Sequence, residues 1–153
     1  MKLATLLVIL LILPLSVFFQ SCEEENENET LISANGSNES HNMGQNCMNC
    51  HKQGGSGEGW FNVAGTVYNS SQTTTYPNIM IKMYTGASGT GTLRYTIQVD
   101  ALGNFYTTED IDFGDDLYPV VQGNSGSEYM ISSVSNGQCN SCHGVSTDKI
   151  WAN

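Results

Sequence analysis

The chain has 153 residues, 15 acidic against 5 basic, and a formal net charge of −10. So acidic a surface repels phosphate backbones, which excludes nucleic acid as a partner. The length suits one small domain behind a leader.

Met1 and Lys2 precede an apolar run from Leu3 to Phe19 that ends in Gln20-Ser21-Cys22. A short basic start, an apolar core and small residues before a cut site read as a secretory leader. The run is interrupted by Pro14 and is borderline in length for a membrane span. A cysteine directly after it points to a lipoprotein: residues 1–21 are the signal peptide and Cys22 takes the lipid. The residues before Cys22 are bulkier than in the usual box, so plain secretion and an uncleaved anchor stay open. All three place the body outside the cytoplasm. The expectation is an outer-membrane lipoprotein, periplasmic or exposed at the cell surface. Processing removes Lys2, leaving 4 basic residues against 15 acidic ones, net −11.

Residues 22–45 are expected to be an acidic flexible linker. Glu23, Glu24, Glu25, Glu27 and Glu29 alternate with asparagines, and such a segment cannot bury enough apolar surface to fold. The Cys-Glu-Glu-Glu start resembles the acidic export signal of surface lipoproteins in Bacteroidota, which implies the outer face of the outer membrane.

Residues 46–61 contain Cys47-Met48-Asn49-Cys50-His51, and residues 136–153 contain Cys139-Asn140-Ser141-Cys142-His143. C-x-x-C-H is the attachment pattern of a c-type haem. Two thiols so spaced can add to the two vinyl groups of one haem, and the histidine then ligates the iron. The expected cofactors are two covalently attached c-type haems, held by Cys47, Cys50, Cys139 and Cys142 with His51 and His143 as axial ligands. After the first motif, Gly54, Gly55, Gly57 and Gly59 disfavour a long helix and permit close approach to a flat ligand. Trp60 and Phe61 either cover a haem face or start the core.

Residues 62–135 read as β. Leu93, Tyr95, Ile97 and Val99 alternate with polar residues, as do Ile79, Ile81 and Met83 with Met80, Lys82 and Tyr84. Val63 to Val67, Asn104 to Tyr106, Leu117 to Val121 and Tyr129 to Val134 supply further strands. The fold class is therefore mainly β, a small β-sandwich flanked by two short haem-binding segments. Val63-Ala-Gly-Thr-Val-Tyr68, Pro77 to Tyr84, Val99-Asp-Ala-Leu-Gly-Asn-Phe105 and Gly114-Asp-Asp-Leu-Tyr118 occur in that order. They resemble the carboxypeptidase regulatory-like, transthyretin-like sandwich, although Asp115 and Asp116 interrupt its usual Gly-x-Tyr spacing. The resemblance implies an Ig-like or transthyretin-like scaffold and no catalytic residues.

Four cysteines could instead bind one zinc or form disulfides. The pairs stand far beyond a zinc ribbon's spacing, and zinc gives no reason for a histidine after both pairs. The cysteines balance: Cys22 takes lipid and the rest form two pairs. A thiol–disulfide site would need a βαβ pattern, which is absent. Each iron needs a second axial ligand or an open site. His41 is the remaining histidine of three and a candidate for either iron. Met43, Met80 and Met130 are further distal candidates, while Met83 is in phase with the core. Three histidines cannot supply four axial positions within one chain.

The expected function is extracytoplasmic electron transfer by a dihaem cytochrome that is no enzyme, with basic redox proteins as partners, steered by charge. The sandwich would space two haem-bearing ends. These lie side by side, because domain termini often meet, or at opposite ends, where self-association would extend a haem chain. The alternatives are a small dihaem peroxidase and a surface β-sandwich binding module with structural C-x-x-C pairs.

Overall fold

A computed structural model describes residues 28–153. The leader, Cys22 and the glutamates at 23, 24, 25 and 27 lie outside the described residues. Within them, no helix is long and apolar enough to cross a membrane.

The chain forms a small β-sandwich of two four-stranded sheets. In chain order the strands are β1 (Val63–Asn69), β2 (Met80–Gly86), β3 (Thr90–Gln98), β4 (Asn104–Thr107), β5 (Tyr118–Gln122), β6 (Ser127–Tyr129), β7 (Gly137–Gln138) and β8 (Ile150–Ala152). One sheet is antiparallel in the order β3-β2-β5-β6. The other is built around β1. β4 pairs antiparallel along one edge, and β7 and β8 pair parallel along the other.

Period-2 alternation explains which faces meet. On β2, Ile81 and Met83 point inward while Met80 and Lys82 do not. Ile97, Val99, Leu117 and Val121 meet them from the same sheet and its connections, and Val63, Val67, Phe105 and Ala152 close the core from the opposite sheet. In β3 the alternation weakens toward the start, because register shifts beside Met83 and Tyr84 turn its first residues outward. Leu93 is thereby exposed.

Three sequence expectations change. Tyr129 to Val134 is not a strand: β6 ends at Tyr129, and only Val134 makes an isolated bridge, to Leu117. Residues 136–153 are not appended to the sandwich, because β7 and β8 belong to its sheet and Ala152 to its core. Nor is the segment 22–45 a solvated spacer over its described part. Ser33 is fully buried and bonds both ways with Tyr106: its amide donates to the Tyr106 carbonyl at 3.0 Å, and its hydroxyl accepts from the Tyr106 amide at 3.0 Å. Polar residues here find partners on β3 and β4, so low hydrophobicity does not prevent order.

The strap is also clamped at 40–44. The Gly44 amide donates to Thr66 Oγ1 at 2.8 Å, and that hydroxyl donates to Asn104 Oδ1 at 2.6 Å. Asn104 Nδ2 donates to Ser40 Oγ and the His41 carbonyl at 3.0 and 3.1 Å. Thr66 and Asn104 are buried, so breaking the network strands polar groups. Thr66→Val is nearly isosteric and is expected to cost about 1–3 kcal/mol, measured by denaturant unfolding. A neutral result would show that the clamp contributes nothing.

Candidate functional site: the paired C-x-x-C-H segments

Both segments fold alike. Cys47–Asn49 and Cys139–Ser141 are 3-10 turns. In each, the fourth residue's amide donates back to the first cysteine's carbonyl, Cys50 to Cys47 at 3.2 Å and Cys142 to Cys139 at 3.3 Å. The histidine amide reaches the same carbonyl, at 2.9 Å for His51 and 3.0 Å for His143. One tight turn thus presents two thiols and an imidazole together.

Each imidazole is then oriented from behind. His51 Nδ1 bonds the Glu58 carbonyl at 2.9 Å, and His143 Nδ1 bonds the Asp148 carbonyl at 2.8 Å. A carbonyl can only accept, so Nδ1 carries the proton and Nε2 keeps a free lone pair. Fixing a ligand's tautomer and direction through its other nitrogen is how histidines are prepared for metal binding. His51 also stacks on Phe61, with ring centres 4.2 Å apart, and Phe61 stacks on Tyr106 at 4.8 Å. Phe61 therefore backs the imidazole. A Cβ at Gly57 would fall within 2.8 Å of three His51 ring atoms, so glycine lets the loop close over that ring.

The second segment is held at both ends by β1. Gly137 and Gln138 pair with Val63 and Ala64, and Ile150, Trp151 and Ala152 pair with Val67, Tyr68 and Asn69. Residues 139–149 form the excursion between these two anchors. Gly65 admits Cys139: a Cβ there would sit 2.5 Å from the Phe105 ring and 3.0 Å from Cys139 Cβ.

The two segments are neighbours and not opposite ends of the sandwich. Asn46, just before Cys47, donates from Nδ2 to Oε1 of Gln138, just before Cys139, at 3.2 Å. Their adjacency follows from β1: the first segment leads into its start, and the second departs from β7, which pairs with that start.

A cavity of about 570 Å3 opens beside the second segment. Cys139, Cys142 and His143 line it together with Met83, Phe105, Val121, Met130 and Trp151. That volume lies within the ~300–1,000 Å3 of small-molecule and cofactor sites, and the mostly apolar wall is of the same kind. A smaller hollow of about 370 Å3 lies beside the first segment, lined by Met48, His51, Trp60 and Phe61 among others. Of the distal candidates, Met130 lines the larger cavity. Met80 lines neither: it sits on the β2 face opposite Ile81 and Met83. Met43 is exposed and lines neither as well. Met83 is core, 1% exposed, yet also reaches the cavity wall.

All four described cysteines are free thiols. Burial raises the Cys47 thiol above the ordinary range and pushes Cys139 up to about 12. A disulfide-exchange catalyst needs its thiol pKa lowered, so these environments run the other way. Cys50 and Cys142 are exposed; each pair has one thiol set into the protein and one facing out. Among the described residues, no three His, Cys, Asp or Glu side chains converge as a zinc cage requires. Each turn thus gathers two free thiols and a histidine oriented through Nδ1.

Sequence reasoning missed the Nδ1 acceptors, because Glu58 and Asp148 act through backbone carbonyls and no residue type marks that role. It also missed the Asn46–Gln138 contact, which bridges 92 positions. No protein-family model, curated protein or solved structure matches this chain.

Proposed function

We propose that this chain is a dihaem c-type electron-transfer protein, carried outside the cytoplasm and tethered to the outer membrane by lipid on Cys22. One observation carries the reading: both C-x-x-C-H turns present paired thiols and a histidine whose Nδ1 is occupied by a carbonyl and whose Nε2 is free. Bound haem would supply reversible one-electron iron chemistry. The chain's own work is position. Cys47, Cys50, Cys139 and Cys142 would tether haem by adding S–H across its vinyl groups, which needs no oxidant. His51 and His143 would each offer Nε2 to the iron. The apolar wall formed by Met83, Phe105 and Val121 would shield one side of such a group from water and so act on its potential.

Adjacency matters to this function. Asn46 and Gln138 join the stems of the two turns, so an electron entering at one site has the other as its near neighbour within one subunit. The acidic surface favours a basic redox partner, with association that weakens as salt rises.

The test is the mature protein made in a host that attaches c-type haem. Intact mass after denaturation should exceed the polypeptide by two haems, with a pyridine haemochrome spectrum of the c type. A mass equal to the polypeptide alone sinks the proposal and favours a binding module with structural cysteine pairs.

A further inference from the structure

His41 is the third histidine of the chain, and its placement is peculiar. Its backbone is fixed while its ring is not. The His41 carbonyl accepts from Asn104 Nδ2 at 3.1 Å, and neighbouring Ser40 accepts from the same group. Asn104 is 2% exposed, and its amide is held by Asp100 Oδ1 at 2.9 Å. Beyond His41 the chain reverses: Asn42 has φ 53°, and its carbonyl accepts from the Gln45 amide at 3.0 Å. The turn leads into the first C-x-x-C-H segment. The His41 ring is solvent-facing and makes no hydrogen bond to another described residue.

That ring lies 5.9 Å from the His51 ring, centre to centre, at an interplanar angle of 37°. Two imidazoles on opposite sides of one metal stand roughly 6.4 Å apart between centres, from two metal–nitrogen bonds of about 2.0 Å and about 1.2 Å from each nitrogen to its ring centre. The observed separation is close to that value, and a rotation of one ring plane against the other is compatible with it. The separation also falls in the range of an ordinary aromatic pair, so the experiment has to separate ligation from packing.

We infer that His41 is the second axial ligand at the first C-x-x-C-H site, opposite His51. The inference rests on the haem reading above. The buried Asn104 clamp is the device that carries an exposed histidine to within reach of its counterpart. All three histidines are then used, and His143 keeps a sixth position with no histidine to fill it. Two thioethers share the cavity wall with His143, Met130 and the more deeply buried Met83. A methionine taken up there would raise that site's potential relative to a two-histidine site.

His41→Ala and His41→Phe are compared with the wild type as full-length mature holoproteins, by denatured mass and by low-temperature EPR of the oxidised form. Both variants should retain two haems while one low-spin signal converts to high-spin, and added imidazole should restore it. Unchanged signals in both variants overturn the assignment. So does low-spin iron retained in the phenylalanine variant alone, since phenylalanine keeps an aromatic pair but cannot ligate. A wild type with no haem mass would overturn the haem reading itself, a failure distinct from the other two.

Discussion

The double variant Cys139→Ala/Cys142→Ala is expected to lose one covalent haem and keep the other. The second turn is held by backbone: β7 and β8 anchor its ends to β1, and the His143 amide bond to the Cys139 carbonyl involves no side chain. Removing two sulfurs therefore leaves the excursion in place. The small hole beside Gly65 and Phe105 costs about 1 kcal/mol. Among the described residues the hydrogen bond that joins the first segment to the second is Asn46–Gln138, and it involves neither cysteine. Denatured mass should fall from two haems to one, with an unchanged far-ultraviolet circular dichroism spectrum. Two haems still attached would break the link between these thiols and the cofactor. Loss of both with the fold intact would show that the sites do not mature independently.

Phe105→Ala is expected to destabilise the fold by about 3–5 kcal/mol, a large share of the roughly 5–15 kcal/mol by which domains of this size are folded. Phe105 is 1% exposed and is the largest fully buried side chain described. Its ring fills the space that Gly65 leaves open on β1, and it also forms part of the wall of the larger cavity. Truncation removes a core contact and joins the resulting void to that cavity. Denaturant unfolding should show a lower midpoint with an unchanged slope. A loss below about 1 kcal/mol would mean that the sheets close over the gap.

The expectations that held are local ones. Alternation along residues 79–83 and 97–99 correctly assigned Ile81, Met83, Ile97 and Val99 to the core, because the strand period of two is a property of the backbone itself. Tyr129 to Val134 misled because its apolar residues do not share one role: Tyr129 ends the β6 ladder, Met130 and Val134 line the larger cavity off any strand, and Ile131 faces solvent. The segment 28–45 misled because composition counts apolar area and not partners. Ser33, Ser40 and Gly44 are ordered by hydrogen bonds to residues more than 20 positions away.

Two thiols and a histidine at fixed spacing are legible in the sequence alone, since a 3-10 turn brings them together without help from the rest of the chain. The mainly β class is legible for the same reason of locality. Tertiary structure alone decided the relations between the sites. β1 accepts β7 and β8 on one edge, and this draws the second turn beside the first. Asn104, buried on β4, fixes the backbone of His41 near His51. Met130 and not Met80 comes to the His143 cavity, since β2 turns Met80 to its other face. Each of these depends on strand pairing between distant segments, and pairing follows from faces that must be buried together, which spacing along the chain does not encode.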